Sequence, residues 1–211
     1  MYKKVVLALL MAALLAGGVF AEESSTGGSW MSAGAGGFFD FSGNNGIKDG
    51  GNYLGAQIVS LGAFLFFDLT YAEIDISYAY GRVKGVVNGY DIGPSSVASR
   101  LWQLGFSFLG KYPFEVGDFT IFPLLGFDYN LILSRIKAGV ADPEPRKWNQ
   151  FGILAGGGAD FDLTDNLYLR GEGLFNLRFP SAYWKEAADG LNASTTMGMG
   201  FRMKLGVGYR F

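Results

Sequence analysis

Large apolar side chains alternate with small or charged ones through most of the chain after residue 30. Successive side chains of a β-strand point to opposite faces, so a period of two indicates strands with two different faces. The alternation is clearest in the last segment. Its apolar set is Thr195, Met197, Met199, Phe201, Met203, Leu205, Val207, Tyr209 and Phe211, and its other set includes Arg202, Lys204 and Arg210. The chain must therefore form strands that keep charge and hydrocarbon apart.

We count eight such segments, and none has helical periodicity. They are 30–42, 56–67, 71–83, 100–112, 118–134, 149–161, 167–180 and 194–211. Their connections alternate in length. Short connections lie at 68–70, 113–117 and 162–166, and longer ones at 43–53, 85–99, 137–148 and 181–193. Alternation of this kind is typical of a transmembrane antiparallel barrel with periplasmic turns and extracellular loops. We predict an all-β, up-and-down barrel of eight strands.

The apolar face is expected to point outward, toward lipid. Eight strands enclose little interior, too little for this many Phe, Tyr, Leu and Met side chains. No segment is expected to need a charge on its lipid face, where Arg or Lys at mid-bilayer costs about 2–4 kcal/mol. Segment 56–67 is apolar on both faces, so its phase stays open. The alternative is a soluble barrel or sandwich, such as a periplasmic ligand carrier, with its aromatics inside.

The first residues resemble a targeting signal. Lys3 and Lys4 precede an apolar run from Val5 to Leu15, and small residues follow up to Ala21. The run is too short to span a membrane comfortably, and the pattern is typical of a secretory signal peptide cleaved after Ala21. We therefore divide the chain into a signal peptide at 1–21, a short segment at 22–29 and a barrel domain at 30–211.

Composition excludes several classes of function. The formal net charge of -2 gives no basic surplus for nucleic acid, and no nucleic-acid partner is expected. The chain has no cysteine and no histidine. Nucleophilic catalysis usually needs a histidine base, so we expect no catalytic residues and no enzyme. No metal site or cofactor is expected either, because the inward carboxylates have basic residues as prospective partners.

The last strand carries a resemblance to a known group. Leu205, Val207, Tyr209 and Phe211 at every second position resemble the closing strand of bacterial outer-membrane proteins. The stretches "FFDLTYAEIDISYAYG" and "DLTDNLYLRGEGLF" resemble strand–turn–strand units of small eight-stranded barrels, the OmpW-like, OmpX-like and opacity-like proteins. The resemblance implies a bacterial outer-membrane location, lipid as a partner, and recognition of the terminal strand by the barrel-assembly machinery. The last strand is expected to pair with the first, which closes the barrel.

The inward face carries the candidate site, a luminal charge network. Its acidic members are Asp40, Glu73, Asp75, Asp128, Asp160 and Glu172, and its basic members are Lys111, Arg170, Arg178, Arg202, Lys204 and Arg210. Charges in a narrow lumen need partners, because desolvation costs several kcal/mol per ion. We favour a structural network that holds the lumen shut over a gate that opens for a solute. Glu172 and Lys204 are expected to face each other across a hairpin.

Two functions remain open. The first is a narrow passive channel for small solutes, including hydrophobic ones, as the resemblance to OmpW-like proteins implies. Apolar residues near the longer loops could line its mouth: Val86, Val87, Tyr90, Ile92, Tyr183 and Trp184. The alternative is a plugged barrel that serves as a surface-exposed structural or host-contact protein through its extracellular loops. The sequence does not choose a solute, a ligand or an oligomeric state.

Overall fold

The computed structural model describes residues 31–87, 90–91, 99–117, 119–137 and 139–211. The expected signal peptide, its cleavage site after Ala21 and the segment 22–29 lie outside the described residues. Among the residues that are described, no helix has the length and apolar character that crossing a membrane requires.

Eight long strands form the body of the molecule. They are β1 (Met31–Asp49), β2 (Asn52–Leu69), β3 (Ala72–Val87), β4 (Ser99–Lys111), β5 (Phe119–Lys137), β6 (Gln150–Asp162), β7 (Leu167–Arg178) and β8 (Gly198–Arg210). Short strands lie at Tyr90–Asp91, Phe114–Val116, Val140–Ala141 and Ser194–Thr196. A 3₁₀ helix, Pro145–Trp148, precedes β6, and an α-helix, α1 (Ala182–Leu191), lies between β7 and β8.

The strands close into an antiparallel ring. Each long strand pairs with the next along the chain, and β1 pairs with both β2 and β8. A path that starts at Ala72 on β3 and passes from each residue to its directly opposite partner on the next strand runs once around the ring. It returns to β3 at Arg82, ten residues further along. That stagger means that the strands are tilted against the barrel axis. The prediction of an eight-stranded, up-and-down, all-β barrel is confirmed.

The two faces of the ring are inverted relative to a soluble protein. On β8, Met203 and Leu205 are 52% and 69% exposed, whereas Arg202 and Lys204 are 4% and 2% exposed. On β2, Val59, Leu61 and Leu65 face outward, whereas Ile58, Phe64 and Phe66 face inward. The phase of segment 56–67 is therefore resolved. An exposed apolar band around a closed ring of strands, with charge inside, is the architecture of a barrel that spans a membrane.

The first long loop was predicted wrongly. The stretch 43–53 contains no open loop, because β1 continues to Asp49 and β2 begins at Asn52. Only Gly50 and Gly51 separate them, and Gly50 has a φ of +57°, which suits a tight hairpin turn. Ile47 is buried on the inner face of this extension. The polar composition of this stretch reflects strands that rise beyond the bilayer, where both faces can be polar.

Two further expectations are corrected at the same end of the barrel. The sequence pattern predicts a loop at 181–193, but most of this connection is α1, which buries Trp184 and Ala188 one turn apart. The lipid face was expected to carry no charge, yet Arg82 and Lys84 continue the outward face of β3 beyond Tyr80. Both side chains are exposed at the loop end of the strand, where they lie at the outer edge of the apolar band.

The lipid band predicts a strong dependence on position for one substitution. Leu125 is 64% exposed midway along the apolar face of β5, and Leu191 is 60% exposed at the end of α1, outside the band. We expect Leu125→Arg to destabilise the barrel in lipid by about 2–4 kcal/mol, because a charge would face hydrocarbon. Leu191→Arg is the matched control, with an expected change within about 0.5 kcal/mol. Urea unfolding in lipid vesicles measures both, and equal effects would contradict the outward assignment.

Candidate functional site: the filled lumen and its cap

The lowest part of the lumen, near the short turns, is organised around Arg170. Its guanidinium donates two hydrogen bonds to Asp160, both 2.7 Å long. It also donates to Glu73 and to Asp68, each at 2.6 Å. Lys111 donates to the same Asp68 oxygen at 2.6 Å. These side chains come from β2, β3, β4, β6 and β7, so the cluster joins strands on opposite sides of the barrel.

The middle of the lumen is organised around Lys204. Its ammonium group donates to Glu172 at 2.6 Å and to Glu73 and Asp75 at 2.8 Å each. Glu172 lies directly opposite Lys204 in the β7–β8 register, as the hairpin offset led us to expect. The ammonium also lies 4.7 Å from the centre of the Phe64 ring. Because Glu73 binds both Arg170 and Lys204, the lower and middle clusters form one network.

The upper cluster is held by two arginines and two aspartates. Arg202 donates to Asp40 at 2.7 Å and to Asp128 at 2.8 Å. Arg178 lies 2.8 Å from Asp40 and 3.2 Å from Asp128, so each carboxylate is shared between the two guanidinium groups. Asn130 adds a donor to Asp128 at 2.7 Å. All four charged side chains are at most 5% exposed.

Eleven of the twelve candidate luminal charges therefore belong to three layers. The twelfth, Arg210, lies at the lower rim and pairs with Asp162 at 2.7 Å. Sequence reasoning missed Asp68, which is fully buried between Lys111 and Arg170. Asp68 lies two residues after Phe66 and four after Phe64, so it shares their inward face. The sequence alone did not show which face of that segment points inward.

The lumen between the charged layers is packed with rings. Phe38, Phe64, Phe66 and Tyr168 form one buried cluster, and Phe122 lies in a second with Leu109, Leu124, Leu154 and Leu174. A cavity beside Asp75, Ser77 and Arg202 has a volume of about 10 Å³. That volume is about the minimum for a single water molecule. This cavity therefore has no room for a larger solute.

The outer end of the lumen is apolar. Ile47, Ile58, Val83, Leu101 and Ile132 point inward there, and Trp148 and Trp184 reach in from the connections outside. Trp148 ends the Pro-initiated 3₁₀ helix, and Trp184 lies on the first turn of α1. The two indoles are 5% and 6% exposed, so they close the barrel as a stopper. We use the term cap for Trp148 and Trp184 together with the two helices that carry them, Pro145–Trp148 and α1.

Aromatic and ionic contacts hold the cap together. The Trp148 ring stacks on Tyr183 at 4.0 Å, and Trp184 packs edge-on against both rings. The Arg135 guanidinium lies 3.7 Å from the Trp148 ring centre and donates to Asp142 at 2.9 Å. The sequence pattern did not indicate Trp148, Arg135 and Asp142, because all three occur in or beside the predicted loop at 137–148.

The proposed apolar mouth has a different arrangement. Val86 and Trp184 are buried, at 2% and 6% exposure, and so belong to the closed end. Val87 and Tyr183 are partly exposed, at 37% and 38%. Ile92 lies outside the described residues, and of Tyr90 only the backbone is described, in a short strand paired with β3. The described members of the set therefore do not line an opening.

The terminal strand lies where the sequence pattern indicated. Leu205, Val207, Tyr209 and Phe211 all point outward and are 44–69% exposed. The backbone amide of Phe211 donates to the carbonyl of Met31 at 3.0 Å, at the seam between β8 and β1. Closure of the ring by the last strand is thus confirmed.

No family model matches the chain, and no curated protein sequence matches it either. Solved structures do match. Neisserial surface protein A (NspA) is similar with a TM-score of 0.54 and 13% identity, covering 88% of this chain and 100% of that one. A major outer-membrane protein from Thermus thermophilus has a TM-score of 0.47 and 16% identity over 88% of this chain and 100% of its own. Ail of Yersinia pestis has 0.43 and 14%, with the same coverage.

The similarity to NspA agrees with the inverted faces of the ring. This chain has the fold of the small outer-membrane barrels. Its closed ring and outward apolar band are those of an integral β-barrel, with lipid around the band.

The middle layer gives a prediction about stability. Lys204→Met leaves Glu73, Asp75 and Glu172 without their shared cation, and breaking a buried ion pair in this way costs about 3–5 kcal/mol. We expect the urea midpoint of the refolded variant to fall accordingly, as measured by the heat-dependent gel shift. The double variant Lys204→Met with Glu172→Gln should regain part of the loss. An unchanged midpoint in the single variant would contradict the network.

The cap gives a prediction about pH. Partial burial favours a raised pKa for Asp142, but hydrogen bonds from the Glu144 amide, Arg135 and Trp148 outweigh it and hold the pKa below its usual value. A lowered pKa stabilises the cap above the unfolded pKa of about 3.9 and loses that stabilisation as pH falls through the folded pKa. Acrylamide quenching of tryptophan fluorescence should therefore rise below about pH 3.9. In Asp142→Asn the cap should be looser already at pH 7, with no such transition, and an identical acid transition would contradict this assignment.

Proposed function

We propose that this protein is a closed outer-membrane barrel that acts through its extracellular surface, as a structural or contact protein, and conducts no solute. The observation that carries the proposal is the filled lumen. Three charged layers, the rings between them and the cap follow one another along the axis, with a residual cavity of about 10 Å³ beside Asp75 and Arg202. A permeating solute would have to pass all of them.

The energetics of the layers support a permanently closed state. Each central cation binds two or three carboxylates, and most of these carboxylates come from strands that are not its neighbours. Separating such a pair without water leaves an unpaired buried charge, which costs several kcal/mol. Opening a passage requires this separation in the Arg170, Lys204 and Arg202 layers together. A gate of this kind would be populated too rarely for passive uptake.

The outer surface is better suited to contact. The 3₁₀ helix and α1 are tied to each other by Lys147, which lies 2.9 Å from Glu144 and 2.8 Å from Glu186. The two helices also contact each other through the stacked rings of Trp148 and Tyr183. A binding surface that is ordered before a partner arrives loses less entropy on binding. The cap is therefore the surface through which we expect a partner to be recognised by its shape.

A narrow passive channel remains the second candidate, and one observation favours it. Among the described residues, the buried oxygens Asp75 Oδ1, Asp128 Oδ1 and Glu172 Oε1 have no hydrogen-bond donor. Buried polar atoms of this kind usually bind water. Water bound at these oxygens would weaken the ion pairs. A continuous chain of such waters would form a path along the lumen for water or a small ion.

The remaining partner and activity assignments are part of the same proposal. Recognition of β8 by the barrel-assembly machinery is supported by its outward aromatic pattern at Tyr209 and Phe211. A non-enzymatic role is supported by the absence of histidine from the sequence. Paired carboxylates such as Glu73 and Asp75 are engaged by Lys204, which leaves them poorly placed for acid–base chemistry.

Conductance in a planar bilayer separates the two candidates. We expect the refolded chain, with folding verified by the heat-dependent gel shift, to show no steady single-channel steps. Replacing both Trp148 and Trp184 with Ala removes the stopper, but should also leave the barrel silent, because the charged layers beneath remain. Steady steps in the unmodified chain that change in Glu172→Gln would overturn the closed barrel and establish the channel.

A further inference from the structure

Two arginines face outward at the loop end of the barrel. Arg82 on β3 and Arg100 on β4 lie directly opposite each other in the register, and both side chains are exposed. Val59 on β2 lies opposite Arg82, and Ile136 on β5 lies opposite Arg100, so an apolar side chain flanks the pair on each side. Lys84 lies two residues further out on the same face of β3 and is also exposed.

The aromatic side chains beneath the pair fix its depth. Tyr80 and Trp102 are opposite partners two residues closer to the membrane centre, and their rings lie 5.0 Å apart. The Tyr78 ring stacks on Trp102 at 5.5 Å. Trp and Tyr collect at the boundary between hydrocarbon and headgroups. Arg82 and Arg100, one step beyond this boundary, therefore lie at the level of the headgroups in the outer leaflet.

The described residues give this pair no carboxylate partner. Like charges directly opposite each other on one face of a sheet are destabilising. Among the described residues, no ion pair joins Arg82 or Arg100 to a carboxylate, whereas the inward Arg170 has ion pairs with four carboxylates and Arg202 with two. Within the described part of the chain, the inward charges thus have carboxylate partners and these two outward arginines have none, so a partner from the surroundings would complete the pair.

We propose that Arg82 and Arg100 bind a phosphate group in the headgroup of an anionic lipid of the outer leaflet. Two guanidinium groups on adjacent strands can each donate a pair of hydrogen bonds to one phosphate, and its charge removes their mutual repulsion. The acyl chains of the same lipid would lie along Tyr80, Trp102 and Tyr78. This proposal rests on the proposed location of the barrel in an outer membrane, but it does not depend on whether the lumen conducts a solute.

Native mass spectrometry of the full chain, refolded in a non-ionic detergent, tests the proposal. The probe is lipid A with two phosphate groups, compared with the same lipid A after both phosphates have been removed. We expect retention of the phosphorylated probe, and about tenfold weaker retention by the double variant Arg82→Gln with Arg100→Gln. Arg146→Gln with Lys185→Gln is the matched control, because it removes the same charge from exposed positions on the cap.

The opposite outcomes are distinct. Equal losses in the two double variants would show attraction by net charge alone and would overturn the site. Equal retention of the two forms of lipid A would exclude a role for phosphate. Free pyrophosphate that binds as tightly as the lipid would exclude a lipid headgroup as the source. The single variant Arg100→Gln supplies the same comparison if the double variant folds poorly, and an unchanged affinity there would again count against the pair.

Discussion

The closed ring of backbone hydrogen bonds is the constraint on which the rest of the structure depends. Hydrocarbon offers no partner to an unpaired amide or carbonyl, so strands can cross a bilayer only if the sheet has no edge. Pairing of β1 with β8 meets that requirement. Once the ring is closed, alternate side chains must face lipid, which explains the exposed Leu205 and Met203. The other half must share one narrow interior, and their polar atoms must satisfy each other.

Because the interior is narrow, the polar side chains satisfy each other through ion pairs that join strands on different sides of the barrel. Arg170 on β7 reaches Glu73 on β3, and Arg202 on β8 reaches Asp128 on β5, so the ion pairs span the lumen between strands that share no backbone hydrogen bonds. Rings fill the spaces that carboxylates leave: the Arg170 guanidinium lies 4.6 Å from the Phe66 ring centre. Each central cation thus combines hydrogen bonds with cation–π contact, which offsets part of its desolvation.

The sequence predicted the strands and their faces well because charge and hydrocarbon alternate along them. It also predicted Glu172 opposite Lys204, because hairpin register follows from the turn. Pairs across the lumen, such as Arg202 with Asp128, were beyond prediction, since they depend on strand tilt and stagger, which a period of two does not specify. The stretch 43–53 was misjudged for a related reason. A strand that rises above the bilayer needs no apolar face, so its composition is that of a loop.

The same residue type therefore has opposite roles according to the direction of its side chain and its depth. An inward arginine is removed from bulk water and must be neutralised by carboxylates of the protein, which makes it part of the fold. An outward arginine at the headgroup level loses little hydration, so Arg82 and Arg100 can remain side by side although no described carboxylate pairs with them. The charges in the lumen therefore stabilise the fold. The cap and the outer rim are where side chains remain available to the surroundings, and there a binding function is compatible with a closed barrel.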